Sequence, residues 1–130
     1  MAVPRIALVV PLLLGGFLLP ATSAQPKAPQ SGTLGMAHEA FSQNRVTVDC
    51  GQTLTLQNDS RFVHIIGPGR DGVLEPDAAV PMARRELLET DHTFTTGTWN
   101  TPGVHYLTCS VHPEMTVAVT VRNCSGTASR

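Results

Sequence analysis

From residue 41 onward, hydrophobic and polar positions alternate in short runs that turn residues separate. A period of two is typical of strands with one buried face. The pattern predicts strands over residues 41–48, 53–57, 62–66, 90–96, 104–109 and 115–121. Residues 82–89 could instead form a helical turn, because Pro81 suits a helix start. Six to eight short strands at this spacing predict a β-sandwich or a small barrel.

Composition supports one compact all-β domain with short extensions. The chain has 130 residues, and its 10 prolines and 11 glycines leave little room for long helices. Hydrophobic residues make up 42% of it, which is enough to bury a core. The formal net charge of -1 gives no reason to expect nucleic acid as a partner.

The first 24 residues have the pattern of a signal peptide. Arg5 precedes an apolar run over residues 6–19, and small residues follow at 20–24. The run is shorter than the roughly 18 residues of a membrane span, so cleavage is favoured over an uncleaved anchor. We therefore expect an exported protein, periplasmic or extracellular, with no stable membrane insertion. Residues 25–36 are predicted to be a flexible linker, 37–124 the domain and 125–130 a tail.

The chain has three cysteines, and an exported protein can keep disulfides. Cys50 and Cys124 each lie just past the end of an alternating strand. If those two strands are adjacent and parallel, the two cysteines meet. Cys109 would then remain a free thiol.

The segment from residue 104 to 115 carries the most informative chemistry. Cys109, His112 and Met115 are each three residues apart, and Pro113 disfavours a helix at the residue before it. A loop between two strands could therefore bring all three side chains around one point. His64, at the end of another predicted strand, could supply a fourth ligand. Two histidines, a thiolate and a weak thioether are typical of a copper site for electron transfer, whereas zinc prefers four strong donors.

Residues 46–56, 64 and 98–121 resemble the cupredoxins, the small blue copper proteins that include plastocyanin and amicyanin. The loop has the Cys-x-x-His-x-x-Met spacing of amicyanin, with proline after the histidine. The resemblance implies a Greek-key cupredoxin-type β-sandwich of six to eight strands with at most one short helix. It implies one type 1 copper ion, with His64, Cys109 and His112 as strong ligands and Met115 as the weak axial ligand.

The family fold also sets the strand before Gly51 parallel to the last strand, which supports a disulfide between Cys50 and Cys124. The chain departs from the family at Ile65, where many relatives have asparagine. It departs again after Met115, where relatives often have glycine and this chain has Thr116 and Val117. Such neighbours tune a metal site, so the departures bear on its potential and rigidity.

The function that the resemblance implies is one-electron transfer between Cu(II) and Cu(I) through an exposed edge of His112. We expect Val111 and Pro113, with Ile66 and Pro68, to form an apolar patch there for transient contact with a redox donor and acceptor. A copper carrier or sequestering protein is the alternative. An enzyme is disfavoured, because the loop lacks a separate orienting group and a cleft. We expect a monomer.

Other candidate residues give weaker indications of a functional role. His105 lies four residues before Cys109 on the same strand, so it is too far from Cys109 to bind the same metal ion. His38 and His92 are predicted to be surface residues. Asn58 and Asn123 match the glycosylation pattern, which is common by chance and without meaning in a bacterial host.

Overall fold

The computed structural model describes residues 32–125 of the chain. The predicted signal peptide, residues 25–31 of the predicted linker and the tail from 126 lie outside these residues. The described part contains nine strands and no helix. They are β1 (Gly32–Met36), β2 (Arg45–Asp49), β3 (Leu54–Asn58), β4 (His64–Arg70), β5 (Val73–Leu74), β6 (Glu86–Leu88), β7 (Thr93–Thr95), β8 (Gly103–Cys109) and β9 (Thr116–Arg122).

The strands form two sheets. The smaller has the order β1-β3-β7, and the larger has the order β2-β9-β8-β4-β5 with β6 paired to β4. Two pairs are parallel, β1 with β3 and β2 with β9, and the other pairs are antiparallel. The all-β sandwich that the sequence predicts is confirmed. No helix within residues 32–125 is long and apolar enough to cross a membrane.

Alternation of hydrophobic residues builds the core between the sheets. Leu54 and Leu56 of β3 are fully buried, and Val117 and Val119 of β9 are buried in the same alternating way. Trp99 is fully buried among them, with its indole N–H donating to Thr96 Oγ1 at 3.0 Å, so its polar atom is satisfied. The ligand candidates therefore project from a packed scaffold.

Three local predictions differ from the structure. Residues 32–36, assigned to the linker, form β1, because Leu34 and Met36 are buried and the backbone pairs with β3. Residues 82–89 hold the strand β6 and no helix, since β6 pairs with β4. The strand predicted to stop before Gly67 continues through it to Arg70. A Cβ at Gly67 would overlap the carbonyl of Arg84, so glycine permits this close approach.

The predicted disulfide between Cys50 and Cys124 is present, with a Cα–Cα distance of 4.9 Å. It follows from the parallel pairing of β2 with β9, which places Asp49 opposite Arg122. The Cys50 N–H then donates to the Arg122 carbonyl at 2.9 Å, and the two cysteines lie side by side beyond the strand ends.

Candidate metal centre

Two neighbouring strands bring His64 and Cys109 together. His64 opens β4 and Cys109 closes β8, and these strands are antiparallel with Ile66 opposite Cys109. Both side chains are fully buried. Sheet pairing therefore brings together two residues with a sequence separation of 45.

The loop between β8 and β9 folds back to place His112 over Cys109. The Cys109 N–H donates to the Met115 carbonyl at 3.0 Å, and the Met115 N–H donates to the His112 carbonyl at 2.9 Å. The Ser110 N–H donates to the Ile65 carbonyl at 2.9 Å, which ties the loop to β4. This backbone bond joins the two segments that carry the candidate ligands, although the Ile65 side chain has no polar group to make such a link.

Three donor atoms converge between these segments. The Cys109 Sγ lies 3.7 Å from His64 Nδ1 and 3.6 Å from His112 Nδ1, and the two nitrogens are 3.2 Å apart. The equidistant point in the plane of these three atoms lies about 2.0 Å from each. An ion slightly out of this plane can reach the typical bond lengths of about 2.0–2.1 Å to imidazole and about 2.3 Å to thiolate. The three residues thus fit a single metal ion.

His64 is held in the state that a ligand needs. Burial lowers the pKa of its imidazole below the ordinary value, and the nearby His112 and His38 lower this pKa further. Its Nε2 lies 3.0 Å from Ser60 Oγ. An Nε2–H that donates to this hydroxyl leaves Nδ1 unprotonated, with its lone pair directed towards Cys109.

Asn58 organises the turn before His64, a role that the sequence did not reveal. Its side chain is fully buried, and Oδ1 accepts from the N–H and the hydroxyl of Ser60 at 3.0 and 2.7 Å. Its amide donates to the carbonyls of Phe62 (2.7 Å), Leu88 (3.1 Å) and Glu89 (3.0 Å). Because every polar atom of this amide is engaged inside the protein, the folded chain leaves no room for a glycan on Asn58.

The fourth predicted ligand, Met115, lies at the same end of the sandwich. It is buried in the core together with Cys109, and its carbonyl accepts the Cys109 N–H.

Searches for similar proteins give a consistent result for the fold. Amicyanin from Paracoccus versutus superposes with a TM-score of 0.56 at 20% identity, over 76% of this chain and 86% of amicyanin. A purple cupredoxin from Nitrosopumilus maritimus gives a TM-score of 0.56 at 20% identity, over 71% of this chain and 100% of that protein. The chain has the cupredoxin fold. No family model and no curated protein sequence matches it.

Other cupredoxin structures have a similar fold. The Cu(I) form of an amicyanin variant gives a TM-score of 0.57 at 17% identity, over 73% of this chain and 85% of that one. At such identities the likeness concerns the fold alone. The resemblance that the sequence predicts is confirmed at this level.

The rim of the site in this cupredoxin fold differs from the predicted patch. Val111 is exposed as expected, but Ile66 and Pro68 are buried, because β4 continues through both and pairs them with β8. Phe62, 44% exposed, lies at the rim instead. His38 stacks on Phe62 with ring centroids 3.5 Å apart and meets the half-buried His112 edge-on at 5.3 Å.

The remaining histidines lie outside the cluster. His105 is half-buried, with Nδ1 3.6 Å from the Asp77 carboxylate and Nε2 2.9 Å from the Thr101 carbonyl. His92 is exposed beside Glu89, whose carboxylate lies 3.8 Å from its Nε2.

Proposed function

We propose that the protein is an exported mononuclear blue copper protein that carries single electrons. The observation that carries the proposal is the set of three donor atoms from His64, Cys109 and His112, spaced for one ion. Met115, buried beside Cys109, supplies the weak axial sulfur.

The donor set favours copper over zinc. Thiolate and thioether sulfur suit Cu(I), imidazole suits both oxidation states, and a methionine is a poor ligand for zinc. When bound at such a site, copper supplies a reversible one-electron couple between Cu(II) and Cu(I). The lowered pKa of His64 keeps its nitrogen available for the metal.

The protein's own residues keep the site rigid and covered. His64 and Cys109 have no exposed surface, and the loop hydrogen bonds hold Cys109 and Met115 together. Rigid ligands move little when the charge at the site changes, which suits fast electron transfer. Only His112, half-buried beside Phe62 and Val111, reaches the surface, so its ring edge is the route for the electron.

The same burial argues for a carrier rather than an enzyme. A substrate cannot reach the Cys109 sulfur in the folded chain, since this side chain is fully buried. Partners would be redox proteins that touch the small apolar rim transiently, as weak electron-transfer contacts do. Export is supported by the N-terminal sequence pattern and by the Cys50–Cys124 disulfide.

The decisive experiment adds Cu(II) to the purified chain from residue 25 and records its visible spectrum and its reduction potential. We expect a strong thiolate-to-copper band, which Cys109→Ser abolishes. Met115→Leu should keep the band and raise the potential. His92→Ala, at an exposed histidine, is the matched control and should behave as wild type. A colourless copper-loaded protein would refute the proposal.

Copper carriage or sequestration remains the alternative for the same ligands. A copper carrier should release its metal readily to a chelator, whereas an electron carrier keeps it through repeated oxidation and reduction. The hydrogen-bonded loop favours retention. Metal loss to a chelator, measured in parallel with electrochemical cycling, separates the two functions.

A further inference from the structure

Thr108 links the ligand loop to another part of the chain. This residue is fully buried, and its hydroxyl donates to the Met115 carbonyl at 2.8 Å. The same oxygen accepts the Gly72 N–H at 2.9 Å and lies 3.1 Å from Thr116 Oγ1. Thr116 Oγ1 in turn accepts the Asp71 N–H at 3.0 Å. Two threonine hydroxyls therefore fasten the turn between β4 and β5 to both ends of the loop.

The same turn also packs against the middle of the loop. A Cβ added to Gly72 would lie 2.8 Å from Pro113 Cβ, and the φ of Gly72 is +79°. Both the close approach and the backbone conformation favour glycine. Pro113 follows the ligand candidate His112 directly, so the turn supports the loop between its two outer ligand positions.

Replacing Thr108 with valine would distinguish a hydrogen-bonding role of this residue from a packing role. A fully buried hydroxyl is costly unless its hydrogen bonds are made, and here they are made to the loop and to the turn. Valine has nearly the same shape and would fill the space without making these bonds. The Met115 carbonyl would then keep only the Cys109 N–H.

We propose that Thr108 is a positioning residue whose hydroxyl holds Met115 in register with Cys109. Through the Met115 backbone it fixes where the thioether sulfur can lie relative to the thiolate and the two imidazoles. This inference rests on the proposed function, because the position of the axial sulfur affects a copper potential.

The first test uses the metal-free chain and so does not depend on copper. Amide hydrogen exchange is compared in wild type, Thr108→Val and Thr108→Ser. Thr120→Val, a threonine on β9 away from the loop, is the matched control. We expect the Cys109 and Met115 amides to exchange about tenfold faster in Thr108→Val, and near the wild-type rate in Thr108→Ser. Equal acceleration in the Thr120→Val control would overturn the proposal.

The second test uses the copper-loaded chain. Thr108→Val should raise the reduction potential by loosening the axial methionine, and Thr108→Ser should restore it. Faster exchange with an unchanged potential would mean a purely structural role and would also overturn the proposal. If wild type binds no copper, the proposed function fails, while the exchange data still decide whether Thr108 holds the loop.

If Thr108→Val does not fold, a milder substitution can test the same link between turn and loop. Thr116→Val removes the acceptor for the Asp71 N–H at a position that is only half-buried. It should accelerate exchange at Asp71 and Met115 in a folded protein. Exchange at the wild-type rate there would count against the link between turn and loop.

Discussion

Replacing Asn58 with alanine should destabilise the protein strongly and loosen the segment that leads into His64. The variant loses the two amide N–H donors that reach three backbone carbonyls, and it removes the oxygen that accepts the Ser60 N–H. At about 1 kcal/mol for each of the two N–H donors and for the lost acceptor, the free energy of unfolding should fall by about 3 kcal/mol. For a domain of this size, that corresponds to a melting temperature lower by roughly 12–24 °C.

Urea unfolding of the metal-free chain measures this loss. Fluorescence of Trp99, the single tryptophan and a fully buried one, should report the transition. Asn44→Ala, at an exposed asparagine, is the control and should change the free energy of unfolding by less than about 0.5 kcal/mol. A loss below about 1 kcal/mol in Asn58→Ala would refute the idea that this amide holds the turn.

Two further predictions concern the disulfide and the support of His64. Replacing Cys50 and Cys124 together with alanine opens a crosslink over a sequence separation of 74, so the free energy of unfolding should fall by about 4 kcal/mol in the same urea assay; an unchanged unfolding midpoint would contradict this estimate. Ser60→Ala removes the oxygen 3.0 Å from His64 Nε2 and should weaken copper binding by about 10–100-fold in a competition titration with a chelator of known affinity. A copper affinity equal to that of wild type would show that the hydroxyl does not orient the ring.

Much of the fold could be predicted because burial on one face leaves a period of two in the sequence. β3 and β9 show this most clearly, and both were predicted within a residue or two. The sequence pattern does not predict β1, because its five residues include two glycines and follow a polar stretch rich in proline. β4 was cut short because Gly67, Pro68 and Gly69 are usual turn residues, and only its tertiary neighbours reveal that they extend a strand.

The convergence of His64, Cys109 and His112 could be predicted because their chemical types and spacing are informative in themselves. The supporting residues could not. Asn58 and Ser60 look like ordinary turn residues in the sequence, and their role depends on carbonyls contributed by distant segments. Phe62 and His38 reach the rim for the same reason, since the segment after β1 and the turn before β4 meet only in the folded protein.

The complete burial of Cys109 has a consequence for producing the protein. Three thiols in an unfolded chain allow three different crosslinks, and only the one between Cys50 and Cys124 leaves Cys109 as the free thiol. Thiol exchange requires access to the attacking sulfur, so closure of the two sheets over Cys109 removes this thiol from further exchange. Refolding should therefore succeed best when the chain collapses under reducing conditions and oxidant is added afterwards.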